Sequence, residues 1–311
     1  MNFDTQDLPY VTAICPSFHR SKLLANALAC FLAQDYPEDH RQLIILDDGN
    51  DFADNQGQYL RSPALISMGW HLFSAENRYP SLTEKFNAAA KHVKGQIILV
   101  WEDDDLYTQN HITNHVLAMT AVAGKHPASN YNRPWLDNGV YNKAIDWVNP
   151  IPELRPQDVD WGDFSCYSKP SSVMSDYTGQ IRTENATGRF HASIGFTRYL
   201  FDKVGGWPNT KRADFDQQFM SILAQNATAI ADPCEIGPPS YCFRFGSTGH
   251  YHGQSFMKSP ADENWMDRIP RRPGNRSLML YPQMDDQTKS IYSQMNAAKP
   301  NMNADQIPAT V

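Results

Sequence analysis

Four consecutive acids, Glu102-Asp103-Asp104-Asp105, follow directly on the apolar run Ile97–Trp101. Carboxylates packed this closely raise one another's proton affinity unless a cation compensates them. A hard divalent ion is the natural compensator. Acidic runs are more often solvated turns; what favours a metal here is the buried-strand pattern that delivers the acids. Asp47-Asp48-Gly49 ends the apolar run Leu43–Leu46 in the same way. Alone, Asp-Asp-Gly is ordinary turn chemistry. Two such sets at strand ends are predicted to converge at one sheet edge, where open α/β folds bind their ligands.

The elements that must position these acids follow from the hydropathy periods. Val11–Cys15 reads as a first strand, broken by Pro16-Ser17-Phe18-His19-Arg20. Leu23, Leu24, Ala27, Leu28, Phe31 and Leu32 then recur at helical spacing as far as Tyr36-Pro37. Leu43–Leu46 is a strand of the buried type, and a third strand is expected near Trp70–Ser74. Ser81-Leu-Thr-Glu84 has the spacing of a capping box, opening a helix that Gly95 is expected to close. Gln96–Trp101 is the fourth strand. This alternation predicts an α/β fold, a mostly parallel sheet flanked by helices.

Later signals are sparser. Residues 124–190 scatter Pro, Asn and Trp without a sustained period, apart from a hairpin pattern at Gly139–Val148, and read as a loop-rich insertion. Ala192–Phe196 reads as a strand and Thr197–Val204 as a short helix ended by Gly205-Gly206. Asp214–Gln225 is a helix with Phe215, Phe219, Ile222 and Leu223 on one face. Asp214 stands at its start, where Asp is also a favoured N-cap. The chain therefore divides into 1–123, 124–190, 191–255 and a polar extension at 256–311.

Composition removes several function classes. With 27 Lys+Arg against 34 Asp+Glu in 311 residues, the net charge is −7, which argues against a nucleic-acid partner. Aromatics at 12% argue for a folded chain. No apolar run approaches the roughly 20 residues of a membrane span. The N-terminal Met-Asn-Phe-Asp-Thr-Gln-Asp lacks the features of a leader, so a cytoplasmic protein is expected. Its five cysteines show no Cys-x-x-Cys spacing, which predicts reduced thiols and leaves the sequons at Asn185, Asn226 and Asn275 without meaning.

Val11–Arg20, the helix through Leu32-Ala-Gln-Asp-Tyr-Pro37, and Leu43–Gly49 together resemble the start of family 2 glycosyltransferases of the GT-A fold. Those read approximately apolar strand, Pro-Thr-Tyr-Asn-Arg, helix, Ala-Gln-Thr-Tyr-Pro, apolar strand, Asp-Asp-Gly-Ser. Glu76-Asn77-Arg78 and the helix with Lys85, Asn87 and Ala88 resemble the family's next stretch, and Trp101–Asp105 resembles its Asp-x-Asp region. The likeness covers about residues 9–120 and resumes at Gly195–Gln218, where Gly195–Pro208 and Arg212–Asp216 are similar to the family's Gly-Gly-Phe and Glu-Asp segments. In two departures, Glu102 stands in place of the first Asp of Asp-x-Asp, and Ala213 in place of the Glu of Glu-Asp.

The resemblance implies a GT-A-like Rossmann-type sheet and a metal-dependent, inverting transfer of a sugar from a nucleoside diphosphate, UDP by default, to a saccharide or other hydroxyl acceptor. Mn²⁺ or Mg²⁺ would sit on the diphosphate, with Asp104 first among its ligands and Glu102 and Asp105 next. The general base would be Asp214, with Asp216 as fallback. Pro16, Ser17 and Phe18 would wall the nucleobase, Asp47 and Asp48 would bond base and ribose, and Asp103 would also face the donor. Arg20, Arg78 and Lys85 are the cations for uracil or phosphate. The glycine-flanked loop from Arg244 to His252 could close over the pyrophosphate, with His250 or His252 as an imidazole ligand. Among Trp135, Trp147, Trp161, Trp207 and Trp265, Trp207 is singled out as an acceptor wall, although core packing is the commoner role of a tryptophan.

Other classes make different demands. A nucleotidyltransferase or sugar-nucleotide pyrophosphorylase usually carries a Gly-rich loop after the first strand, and Pro16–Arg20 has no glycine. A catalytically silent binding module finds its support in Ala213, and loss of turnover with retained donor affinity on replacing Asp214 would discriminate.

Overall fold

The computed structural model describes residues 8–50, 69–125, 155–175, 181–182, 190–210 and 214–244. The Gly139–Val148 hairpin pattern, the 256–311 extension, His250 and His252 lie outside the described residues.

Strands β1 (Val11–Ser17), β2 (Arg41–Asp47), β3 (Trp70–Ser74) and β4 (Ile97–Val100) are mutually parallel in the spatial order β4-β1-β2-β3. Helix α1 (Ser21–Leu32) follows β1, and α2 (Leu82–Ala90) follows β3. The capping box at the start of α2 forms as expected: Ser81 Oγ accepts from the Glu84 amide at 3.2 Å and donates to Glu84 Oε1 at 3.2 Å.

Three boundaries differ from expectation for physical reasons. β1 runs through Pro16 rather than ending at Cys15. The Trp101 amide donates to the Ile14 carbonyl at 2.9 Å, so even-numbered residues of β1 face β4. That ladder ends at Ile14 opposite Val100, and Pro16 lacks an amide where no strand remains to receive one. Helix α2 ends at Ala90, well before Gly95. Gly95 is instead a point of close approach: a Cβ there would lie 2.3 Å from the Tyr10 carbonyl oxygen. The strand expected at Ala192–Phe196 is a 3₁₀ turn, His191–Ser193, followed by a strand beginning at Gly195.

The rest of the chain completes two sheets. After β5 (Leu106–Tyr107) and α3 (His111–Lys125) come β6 (Cys166–Ser168), β7 (Ser172–Ser175) and β8 (Ile181–Arg182). Then follow β9 (Gly195–Thr197), α4 (Arg198–Val204), α5 (Phe215–Asn226), β10 (Ala229–Ala231) and β11 (Tyr241–Arg244). Gly205, at φ 78°, closes α4 in the left-handed conformation that glycine adopts without strain. The main sheet has the order β10-β6-β9-β4-β1-β2-β3, with β9 antiparallel to both neighbours. The second sheet is β5-β11-β7-β8. Strand β6 joins the main sheet and β7 the second one from the stretch read as loop-rich.

Alternate strand residues feed two apolar layers. Ala13, Cys15, Leu43, Ile45, Ile97 and Leu99 pack with Leu24 and Phe31 of α1 and with Ile112, Val116 and Met119 of α3. Ile14, Ile44, Leu46, Ile98 and Val100 pack on the other face with Phe86, Leu200, Phe219 and Leu223. This is the two-sided covering of a mostly parallel α/β sheet. All five cysteines are free thiols, and no helix among the described residues is long and apolar enough to cross a membrane.

Candidate active site

The parallel strands end together, so the chain turns they feed meet at one edge. β4 delivers Trp101 into the core, stacked on Tyr107 with ring centroids 3.7 Å apart. One oxygen each from Glu102, Asp103 and Asp104 then falls within 4.8 Å of the others. Asp103 is 1% exposed and Asp104 6%. Arg20, just past the end of β1, places Nη1 3.0 Å from Asp103 Oδ1 and 2.8 Å from Asp104 Oδ2. Asp103 Oδ2 is buried and has no hydrogen-bond partner among the described residues.

The electrostatics follow from this crowding. Burial, then Asp104, pushes the Asp103 carboxyl up to about 7, against the pull of Arg20. Burial and the neighbouring acids Asp104, Asp105 and Asp103 hold Glu102 well above the ordinary carboxylate range. Burial opposes the charge on Arg20, but Asp104 and Asp103 outweigh it and make the guanidinium harder to deprotonate. Three carboxylates with one guanidinium, and an orphaned buried oxygen among them, fit a hard divalent cation: oxygen ligands only, and surplus negative charge. Glu102, Asp103 and Asp104 are the residues that would hold it.

Two tyrosines pin this turn from the second sheet. Tyr107 Oη accepts from the Glu102 amide at 2.6 Å and donates to the Ala192 carbonyl at 3.1 Å. Tyr241 Oη, on β11, donates to Asp105 Oδ2 at 2.5 Å. Asp105, expected among the metal ligands, therefore stands apart from the triad, and Asp103, expected on the donor, joins it. Neither tyrosine was anticipated. Tyr107 lies two positions past the acids and carries a weak local signal, whereas Tyr241 is 136 residues from its partner and carries none.

The second acid pair is held from within. Asp48 Oδ1 takes the Lys85 ammonium at 2.5 Å, and its Oδ2 takes the Tyr79 amide at 2.9 Å. Lys85 Nζ also donates to the Ser17 carbonyl at 2.5 Å. Lys85, expected as a cation available to the donor, is 4% exposed, and a buried ammonium must be paired; it locks β1, α2 and the Asp48 turn together instead. Asp47 is fully buried at the end of β2, opposite Ser17, with Oδ1 accepting from the Gly49 amide at 3.0 Å. Pro16 is buried within β1, while Phe18 is half-exposed and carries the exposed Arg78 guanidinium over its ring, 4.0 Å from the centroid.

The other half of the chain presents a different set. Asp214 occupies the N-cap position of α5 without a side-chain capping bond. Its Oδ1 accepts from Gln218 Nε2 at 3.2 Å, and the residue is half-buried. Asp216, one turn-position on, accepts from the Gln217 amide at 2.7 Å. Trp207 is not an open wall: it is 2% exposed, stacked on Phe86 with centroids 4.8 Å apart. Its Nε1 donates to His191 Nε2 at 2.8 Å. The indole is drawn inward because α2, α5 and the His191 turn all offer it ring faces. Arg244 ends β11, paired with Ser175 of β7. Residue 191 adjoins Ala192, so the His191–Ala192 segment touches both the acid turn, through Tyr107, and the underside of α5, through Phe215 at 5.8 Å.

The family model described as glycosyl transferase family 2 matches residues 12–176, just over half of the chain. The chain belongs to glycosyl transferase family 2. Among solved structures, this domain is similar to S. aureus TarS 1–349, with a TM-score of 0.51 and 14% identity over 75% of the chain and 60% of TarS 1–349. The same protein in complex with UDP-GlcNAc gives a TM-score of 0.51 and 14% identity, over 78% of the chain and 60% of the other. The mannosyltransferase PcManGT from Pyrobaculum calidifontis, in complex with GDP-Man and Mn²⁺, gives a TM-score of 0.47 and 17% identity, over 81% and 61%. The glycosyltransferase domain thus spans about 60% of the length of these structures, and at such identities the likeness to TarS speaks for the fold alone. No match is found among curated proteins. The sheet of this family 2 domain is that of a GT-A-like α/β fold.

Proposed function

We propose that this family 2 domain is a metal-dependent, inverting glycosyltransferase that moves a sugar from a nucleoside diphosphate, UDP in first preference, to a hydroxyl acceptor. The observation that carries the reading is the triad Glu102-Asp103-Asp104 at the C-terminal strand edge, with Asp103 Oδ2 buried and without a hydrogen-bond partner among the described residues. A divalent ion held there supplies Lewis-acid neutralisation of the charge that develops on the leaving diphosphate. UDP is preferred as the probe because TarS, which shares the fold, has been captured with UDP-GlcNAc.

The chain's own residues divide the remaining work. Phe18 and Arg78 offer an aromatic face and a cation to the nucleobase end of the donor. Asp47 and Asp48 sit at the adjacent strand end, Asp48 fixed by Lys85. Arg20 offers its guanidinium to the diphosphate. Asp214 accepts the proton of the acceptor hydroxyl as that oxygen bonds to the anomeric carbon and the carbon–oxygen bond to the diphosphate breaks. The products are the glycosylated acceptor, the nucleoside diphosphate and a proton on Asp214. Support for Asp214 is its half-buried place at the start of α5, in the segment similar to the family's Glu-Asp.

Calorimetric titration with UDP, with GDP and dTDP as controls and with and without Mn²⁺, tests the donor half. Manganese-dependent binding of one nucleotide is expected. Absence of binding by all three with metal present would sink the reading.

A further inference from the structure

The acid triad already holds a cation of its own. A single nitrogen of Arg20 bridges Asp103 Oδ1 at 3.0 Å and Asp104 Oδ2 at 2.8 Å, at carboxylates that are 1% and 6% exposed. The Arg20 side chain is itself one-fifth exposed, while its Nη1 is spent on the acids. Arg20 is also the N-cap residue of α1 and makes no side-chain capping bond. It is tethered to rigid structure by its backbone, and the ion pairs recorded for its side chain are those with the two acids.

We infer that Arg20 is a resident counter-ion of the metal site, one that a divalent cation must outcompete and that a donor diphosphate then recovers. The inference rests on the metal reading of the triad given above. Two of the triad's three acids are shared between Arg20 and any ion that enters, so the guanidinium lowers the affinity for metal alone. It does so by occupying carboxylate oxygens and by adding a like charge beside the ion. Once the metal has taken the acids, the guanidinium is left with its positive charge at the mouth of the site and no acid to pair with. A diphosphate oxygen is the chemically matched replacement. Metal and donor therefore bind with a positive coupling to which Arg20 contributes, and by linkage the coupling acts equally in both directions. In the absence of both, the same guanidinium keeps three crowded carboxylates from repelling one another.

The test is Mn²⁺ binding to the full chain, followed by calorimetry or by the spin-resonance signal of free Mn²⁺, with and without saturating UDP. It compares wild type, Arg20→Gln and Arg20→Lys. For Arg20→Gln the expected result is tighter binding of Mn²⁺ alone, on the order of tenfold, together with weaker binding of UDP in the presence of Mn²⁺. The factor by which UDP tightens Mn²⁺ binding should shrink by a similar amount. Arg20→Lys keeps a charge on a shorter reach and should fall between the two, which covers the case in which Arg20→Gln folds poorly. Unchanged or weaker binding of Mn²⁺ alone by both variants would overturn the role given to Arg20 while leaving the metal site standing. Failure of the wild type to bind Mn²⁺, with UDP present or absent, would overturn the metal reading itself and this inference with it.

Discussion

The acids after β4 and the acids at the start of α5 both stand at the terminus of a regular element, yet they inhabit opposite surroundings. In the first set Asp103 and Asp104 are 1% and 6% exposed, crowded by like charges, and bridged by the Arg20 guanidinium. In the second, Asp214 and Asp216 are half-buried, Asp214 accepting from the Gln218 side-chain amide and Asp216 from the Gln217 amide. A carboxylate that is buried among others is destabilised when ionised and gains most from a cation. One that stands half-open at a helix start can take and release a proton at less cost to its surroundings. The same residue type thus suits charge neutralisation at one edge and proton transfer at the other.

Breaking the first side should have the largest effect. Asp104→Ala removes one of the triad's three acids and an Arg20 partner, and it is expected to abolish manganese-dependent UDP binding and to lower kcat/KM by about 10³-fold or more. Retained metal-dependent binding in this variant would mean that the acids after β4 are a structural turn. Asp214→Asn tests the other side. Turnover should fall by roughly 10²- to 10⁴-fold with UDP affinity unchanged, as expected on losing a general base. Asp216→Asn should cost far less. If the two variants exchange these effects, the base is Asp216; if neither slows turnover, the comparison fails on the α5 side.

How much of this contrast is legible beforehand depends on length and on sequence separation. β2, β3, α2 and α4 are long or well capped enough to show their period, and the acids that end β2 and β4 announce themselves as an abrupt change of polarity. β5, β6, β7, β10 and β11 have two to four residues each, too few for a period, and are strands only because a neighbour pairs with them. The division of labour among Glu102–Asp105 is also invisible locally. Asp105 is bonded by Tyr241 from a strand in the other sheet, and Lys85 is bonded to Asp48 and Ser17 within the fold. These outcomes are set by long-range contacts, whereas the four acids themselves are set by chain order.

Trp207 sharpens the comparison, because an aromatic beside the proposed base could be a sugar platform or a structural strut. Stacked on Phe86 and bonded to His191, it is a strut. Trp207→Ala should lower the unfolding free energy by about 3–5 kcal/mol. Trp207→Phe keeps the ring contacts but drops the bond to His191, and it should cost about 1–3 kcal/mol while leaving KM for the acceptor unchanged. A raised acceptor KM in Trp207→Phe at unaltered stability would return Trp207 to the acceptor site.

The smallest effect concerns pH, and it separates the two regions by sign. The imidazole under the α5 side is buried and neutral: burial holds His191 down to about 3, against an ordinary value of 6.5, as it does His115 of α3. His191 Nε2 accepts from Trp207, so protonation there would set donor against donor. A histidine depressed in the folded chain binds its proton first in the unfolded chain. Its contribution is complete above pH 6.5 and diminishes as pH falls toward 3, by about 1.4 kcal/mol per pH unit for each such residue. The raised carboxyl of Asp103 works in the opposite sense, favouring the folded chain when protonated and opposing it as pH rises through about 7. In denaturant unfolding followed from pH 7 down to about 5, each neutral imidazole should contribute a fall in stability, set against the gain as Asp103 and Glu102 take up protons. His191→Gln should flatten that fall by about 2 kcal/mol over 1.5 pH units. An unchanged slope in His191→Gln would show that the imidazole is not held neutral, and would leave the α5 side as charged in its interior as the turn after β4.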